Sequence, residues 1–443
     1  MTWSASEILT LACICDDIDD GATFSKMMST SEEYTASVPL SPLPTTGEED
    51  TAMALPLLER KEFRKGQPLG TGAFCRVFAI KTIFLKKSGD GNLSERLETD
   101  QKQIIARHNL VSKFLNIELK SSLPDPSYLE IWGKDPSQER AERLQGPPPR
   151  LVVKEIKENL NEYSMKRATK DLKIELDILS SISEDAHPNI IELHAIGVDP
   201  FELPENNDYP LQVPTAITSP KFLVLSRIRA TLKQVIRTWQ ERKGSGLFLF
   251  LGLNSRDFQQ LWLERMLVLV KITDAIRFLH SKKIMFRDLK PDNIGFDDDD
   301  VPKIFDFGLA KQITSETILS NGEDETYELT GNTGTIRYMP PEVAKREPYG
   351  FSVDLYSLAI LMHEVLTLKL PFANIPPSDF RRLIFQNGIR PPLDQGWPTK
   401  LKALLRAMWA QNPSERPNAD DVASSLEEML RGSNEELFPN YIL

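Results

Sequence analysis

Cysteine is scarce: Cys13, Cys15 and Cys75 are the only three in 443 residues. Three cannot build a disulfide framework, and no paired Cys/His spacing suggests zinc. Long hydrophobic runs are missing too, since nothing approaches the roughly 18 uninterrupted apolar residues of a membrane helix. Met1 to Asp20 contain neither Lys nor Arg and end in an acidic cluster, which does not fit a secretory signal or transit peptide. There is no internal repeat and no basic stripe of the kind that nucleic acid demands. The expectation is a reducing setting, cytoplasmic or nuclear, with neither membrane nor nucleic acid as partner. At 40% hydrophobic and 26% charged residues, the composition is that of an ordinary globular protein.

Charge of one sign is concentrated at the start. Residues 1–62 carry twelve acidic and three basic side chains, so most of the net charge of −11 lies there and the remainder is close to neutral. Rich in Ser, Thr, Pro and acid, this stretch is expected to be a mostly disordered tail. From Phe63 the pattern becomes strand, Gly-rich turn, strand. Residues 82–149 then separate this hairpin from the strand Leu151-Val152-Val153-Lys154, far longer than a connection of about 2–6 residues. This insertion contains Leu97, Ile104 and Val111 at a spacing that places them on one helix face. Both the tail and the insertion are candidate docking segments for partners. A helix is expected over about 165–183, and a largely helical half follows from Thr231 to near Arg431.

The most informative run is Phe286-Arg287-Asp288-Leu289-Lys290-Pro291-Asp292-Asn293, followed by Ile304-Phe305-Asp306-Phe307-Gly308. Asp288 can serve as a general base beside the cation Lys290. Asn293 and Asp306 offer oxygen ligands to a hard divalent cation such as Mg²⁺, which takes few protein carboxylates and leaves room for substrate phosphates. Two separate signatures in order make the pattern specific. It resembles the catalytic and metal-binding loops of the protein kinase family, usually written H-R-D-L-x-x-x-N and D-F-G. The resemblance implies an α+β, two-lobed protein kinase fold over residues 63–432, with a tail at 433–443. A β-rich N-lobe (63–228) with one key helix would face a mostly α-helical C-lobe (229–432), with ATP and magnesium between them.

Other segments extend the resemblance. Leu69-Gly70-Thr71-Gly72-Ala73-Phe74-Cys75-Arg76-Val77 is similar to the loop that folds over ATP phosphates, with Cys75 in place of the third Gly. Leu69, Gly70, Gly72 and Val77 are therefore expected at the nucleotide. Lys154 would contact the phosphates and pair with a helix glutamate, for which Glu175 is the candidate. Leu225 stands at the gatekeeper position, and Ser226, Arg227 and Ile228 would offer backbone hydrogen bonds to adenine. Val152 and Gly295 occupy positions that usually hold an Ala and a Leu on either side of adenine, so the two are expected to meet across a repacked slot. Phe286 replaces a His that normally packs in an apolar column, here with Leu179, Leu193 and Phe307. His187, in the turn after the helix, is assigned a structural role.

Further along, Gly334 to Glu342 resembles the substrate-side segment ending in A-P-E. The resemblance implies that Glu342 pairs with Arg416, Asp354 caps the catalytic-loop backbone and Thr335 touches the catalytic Asp and Lys. Thr326, Tyr327, Thr330 and Thr333 lie in the activation segment, with Thr330 and Thr333 the best placed for a phosphate that Arg287 and Lys311 would meet. Lys290-Pro291-Asp292-Asn293 is similar to Ser/Thr-directed members, and Arg390-Pro391-Pro392 with Met408-Trp409 resembles the tyrosine-kinase-like group. The implied activity is transfer of the γ-phosphate of Mg-ATP to Ser or Thr of protein substrates. The competing reading is a pseudokinase scaffold, favoured by Cys75, Phe286 and Gly295.

Overall fold

The computed structural model describes residues 55–83, 106, 107, 110, 150–198, 220–244, 255–314, 318–320, 326, 327, 329, 331, 333–432 and 437–439. The acidic stretch 1–54, the proposed helix face of Leu97, Ile104 and Val111, and Thr330 lie outside the described residues. Six strands form the upper sheet: β1 (Leu57–Leu58), β2 (Phe63–Thr71), β3 (Cys75–Ile83), β4 (Leu151–Ile156), β5 (Leu193–Gly197) and β6 (Phe222–Ser226). Their order is β1-β5-β6-β4-β3-β2, with β1 parallel to β5 and the other pairs antiparallel. Alternation in β4 and β6 sorts the side chains between two faces. Val152, Leu223 and Leu225 join the main core, whereas Leu151, Val153, Phe222 and Val224 join a second cluster on the outer face. Lys154, two residues after Val152, therefore points to the inner side.

Helix α1 (Glu162–Ser181) covers that inner side. Asn161 caps it by accepting the Ser164 amide at 2.8 Å. Ala168, Leu172, Glu175, Leu176 and Leu179 share its buried face, so Glu175 is the one acid carried inward.

The tail and insertion boundaries need correction. Residues 55–62 belong to the fold, because Leu57 and Leu58 are buried and pair with β5. The apolar run Leu55-Pro56-Leu57-Leu58 outweighs the acidity that dominates the preceding sequence. Glu62 is buried, and Arg107 from the insertion forms an ion pair with it while donating to the Leu57 carbonyl at 2.9 Å. Ala106, Arg107 and Leu110 are helical, and Leu110 packs in the outer cluster with Leu58 and Phe222. The insertion thus braces the back of the sheet, and β3 continues past residue 82 to Ile83.

The lower half is built from α2 (Leu232–Gly244), α3 (Ser255–Ser281), α4 (Ser352–Thr367), α5 (Thr399–Met408) and α6 (Ala419–Arg431). α4 is its axis, buried without interruption from Val353 to Leu366. A small sheet of β7 (Ala230–Thr231), β9 (Ile294–Phe296) and β10 (Pro302–Ile304) lies below the hinge, and β8 (Ile284–Met285) pairs with β11 (Lys311–Gln312). Among the described residues, no helix is long and apolar enough to cross a membrane.

Candidate active site

Lys154 Nζ bridges the two halves, 2.5 Å from Glu175 Oε2 on α1 and 2.8 Å from Asp306 Oδ1. Burial opposes the Lys154 charge, but the two carboxylates outweigh it and raise the pKa. The Lys154 ammonium, against the effect of burial, holds Asp306 below the usual carboxylate range. Asp306 sits in the left-handed region at φ 68°, which turns its half-exposed carboxylate toward the lysine.

Asp288 is the hub of a second network. Its Oδ1 accepts from the Thr335 amide and hydroxyl, both at 2.9 Å. Its Oδ2 accepts from Lys290 Nζ at 2.6 Å and from Asn293 Nδ2 at 2.9 Å. Lys290 also donates to Thr335 Oγ1 at 2.8 Å. Buried polar atoms are nearly always hydrogen-bonded, and these four bonds leave Asp288 one well-defined orientation.

Asp354, fully buried on α4, supports this loop from beneath. It accepts the Phe286 and Arg287 amides at 2.9 and 2.8 Å, together with His280 Nε2 at 2.9 Å. Those bonds hold Arg287 at φ 69°, an unfavourable conformation for a side chain of its size. Phe286 meets Phe307 edge to face at 5.1 Å, and both are buried in one cluster with Leu179 and Leu193. The Phe286 ring is thus fully buried in that column. Arg416 holds Glu342 bidentately at 2.6 and 2.9 Å. His187 accepts the Asn189 amide at 3.1 Å and contacts Asp274 at 3.2 Å, so it shapes a turn away from the cleft.

The Gly-rich turn joins β2 to β3, with Gly70 open on its Cβ side and Leu69 exposed. Lys157 Nζ grips the turn through the carbonyls of Gly72 (2.6 Å) and Ala73 (3.1 Å), a contact with no signal in the sequence pattern. Burial pushes the Cys75 thiol up to about 11. Val77 pairs with Lys154, and Val152 pairs with the gatekeeper-position Leu225. At the hinge, the Ser226 and Arg227 amides donate to the Glu192 and Arg150 carbonyls at 3.1 and 2.8 Å. Of the three hinge amides, that of Ile228 alone is without a partner among the described residues.

The space beside Gly295 is filled from the hinge. A Cβ built on Gly295 would lie 2.2 Å from Ile228 Cγ2 and 3.1 Å from Phe305 Cε1. With no side chain at position 295, the hinge isoleucine occupies the volume.

A sequence model of the protein kinase domain matches residues 149–426. The chain belongs to the protein kinase family. The chain is 33% identical over 164 residues to the serine/threonine-protein kinase STY17 of Arabidopsis thaliana, an overlap of 37% of this chain and 27% of that protein. It is 40% identical over 167 residues to a probable serine/threonine-protein kinase, gdt4, of Dictyostelium discoideum (36% and 10%). With the serine/threonine/tyrosine-protein kinase HT1 of Arabidopsis thaliana it shares 33% identity over 176 residues (40% and 43%). The chain spans less than half the length of each of these relatives.

The donor set suits magnesium. Asn293 uses its amide nitrogen on Asp288, which leaves its side-chain oxygen as an acceptor, and Asp306 is held ionised. One carboxylate and one amide oxygen are hard ligands of the number that Mg²⁺ takes when phosphates supply the rest. No cluster of three or more His, Cys, Asp or Glu with metal-site geometry occurs among the described residues.

Proposed function

We propose that this chain is an active kinase that transfers the γ-phosphate of Mg-ATP to Ser or Thr hydroxyls of protein substrates. The carrying observation is the Asp288, Lys290, Asn293 and Thr335 network. It pre-orients a carboxylate to receive a hydroxyl proton and sets an ammonium beside it to stabilise the transferring group. Lys154, fixed by Glu175, would hold the nucleotide phosphates, with Leu69, Gly70, Gly72 and Val77 above them. Leu225, Val152 and Gly295 would bound the base, and Ile228 would offer the free hinge amide. Asn293 and Asp306 would hold the metal, which when bound neutralises phosphate charge and keeps the reacting oxygens in line. Such catalysis is positioning and electrostatics, and these side chains are already positioned by buried neighbours.

The names of the relatives support Ser/Thr specificity, as does the Thr335 hydroxyl held between Asp288 and Lys290. Residues 63–228 and 229–432 act as the two lobes in this reading. The test is phosphate transfer from radiolabelled ATP to a generic protein substrate. Wild type should label Ser and Thr, while Asp288→Asn and Lys154→Met should each abolish labelling in protein whose circular dichroism shows the fold retained. Binding of Mg-ATP with no labelling of any protein, itself included, would overturn the proposal in favour of a scaffold.

A further inference from the structure

Gly295 and Ile228 compete for one volume. They come from distant parts of the chain, Gly295 from β9 and Ile228 from the hinge just before β7, yet an added Cβ on the glycine would stand 2.2 Å from Ile228 Cγ2. No real Cβ tolerates that distance. Phe305, next to Asp306, bounds the same space at 3.1 Å, and the Ala230 carbonyl closes it at 3.3 Å. Ile228 and Phe305 are each half-buried against the main core. Ile228 also carries the hinge amide that has no partner among the described residues. One residue therefore combines an apolar branch beside Gly295 with an amide that has no partner among the described residues, a pairing that suits a flat heteroaromatic ring with an acceptor on its edge.

We infer that the Ile228 side chain, supported by Phe305, is the floor of the adenine slot, in the volume that Gly295 leaves open. This rests on the nucleotide reading above. Base affinity is then set from the hinge and not from β9, and position 295 must stay glycine as long as position 228 is branched.

The test is displacement of a fluorescent ATP analogue by adenosine and by ATP, alongside ligand-free melting curves. Ile228→Ala should weaken adenosine about tenfold, the order expected when two or three buried methyl groups are lost from an apolar wall. Ile228→Val should fall between it and wild type. Both variants should melt cooperatively without ligand, with only the modest loss that trimming a half-buried side chain brings. Gly295→Leu alone should weaken both ligands through overpacking, and Ile228→Ala with Gly295→Leu should recover to within about twofold of wild type, a strongly non-additive pair. Should Gly295→Leu not fold, rescue of folding by Ile228→Ala supports the same shared volume. Unchanged adenosine affinity in Ile228→Ala, or losses that simply multiply in the double variant, would overturn the inference. Wild type that binds neither ligand would remove the nucleotide reading, and the inference with it.

Discussion

Glu364 is a buried carboxylate on α4 that accepts the Tyr338 hydroxyl at 2.5 Å. Burial pushes its pKa from 4.5 up to about 7, against the lowering effect of the Tyr338 bond. Folded protein therefore keeps a proton that unfolded chain releases between those values. The resulting stability is fully present below about 4.5 and is lost as pH rises through about 7, roughly 3 kcal/mol in all. Glu364→Gln keeps an acceptor for Tyr338 but cannot ionise. Its melting temperature relative to wild type should climb from about pH 5 to about pH 8, and parallel curves would refute the assignment. Arg416→Ala should be harsher, because it leaves Glu342 charged, buried and unpaired, at a cost of about 3–5 kcal/mol in urea unfolding. The residues proposed for chemistry stand out in the sequence because the proposed phosphoryl transfer would need particular atoms at short, fixed spacing. Ile228 does not, since where its side chain goes depends on the space left by a glycine in a different element.

Among the elements, α1 was legible as a helix over about 165–183 and Glu175 by its resemblance to the family's helix glutamate, while the structure shows that this acid lies on the buried face. β1 was not, for a two-residue strand has no period of its own and exists only because the β5 edge accepts it. The insertion helix was equally hard to place, because its tie to the sheet is a long-range ion pair between Arg107 and Glu62. Arg107→Met should therefore destabilise the upper sheet by about 3–5 kcal/mol, by leaving Glu62 unpaired. Adding Glu62→Gln should restore much of the loss. Hydrogen exchange over residues 55–83 would report it, and unchanged protection in Arg107→Met would refute the brace.

Across the whole molecule, the activation segment is tied down at several points. Tyr327 is fully buried and exchanges backbone bonds with Tyr349 at 3.1 and 3.3 Å, so in this arrangement it offers no hydroxyl to another enzyme. Arg287 donates to the Leu309 carbonyl at 2.7 Å and to the Tyr349 hydroxyl at 3.1 Å, and lines a small cavity with Thr333. A phosphate on Thr333 would lie in reach of that guanidinium, so active protein is expected to carry phosphate at Thr333 or Thr330. Mass spectrometry with phosphatase treatment checks this, and full activity with both unmodified would exclude it. The sheet has a practical corollary. The family match starts at residue 149, yet Leu58, Phe63, Ile80 and Ile83 cover Leu151, Val153 and Val224. A recombinant fragment cut at the matched boundary would bare that greasy face and turn β4 into an unprotected edge. Inclusion bodies, and not a catalytic core, are what such a truncation should yield.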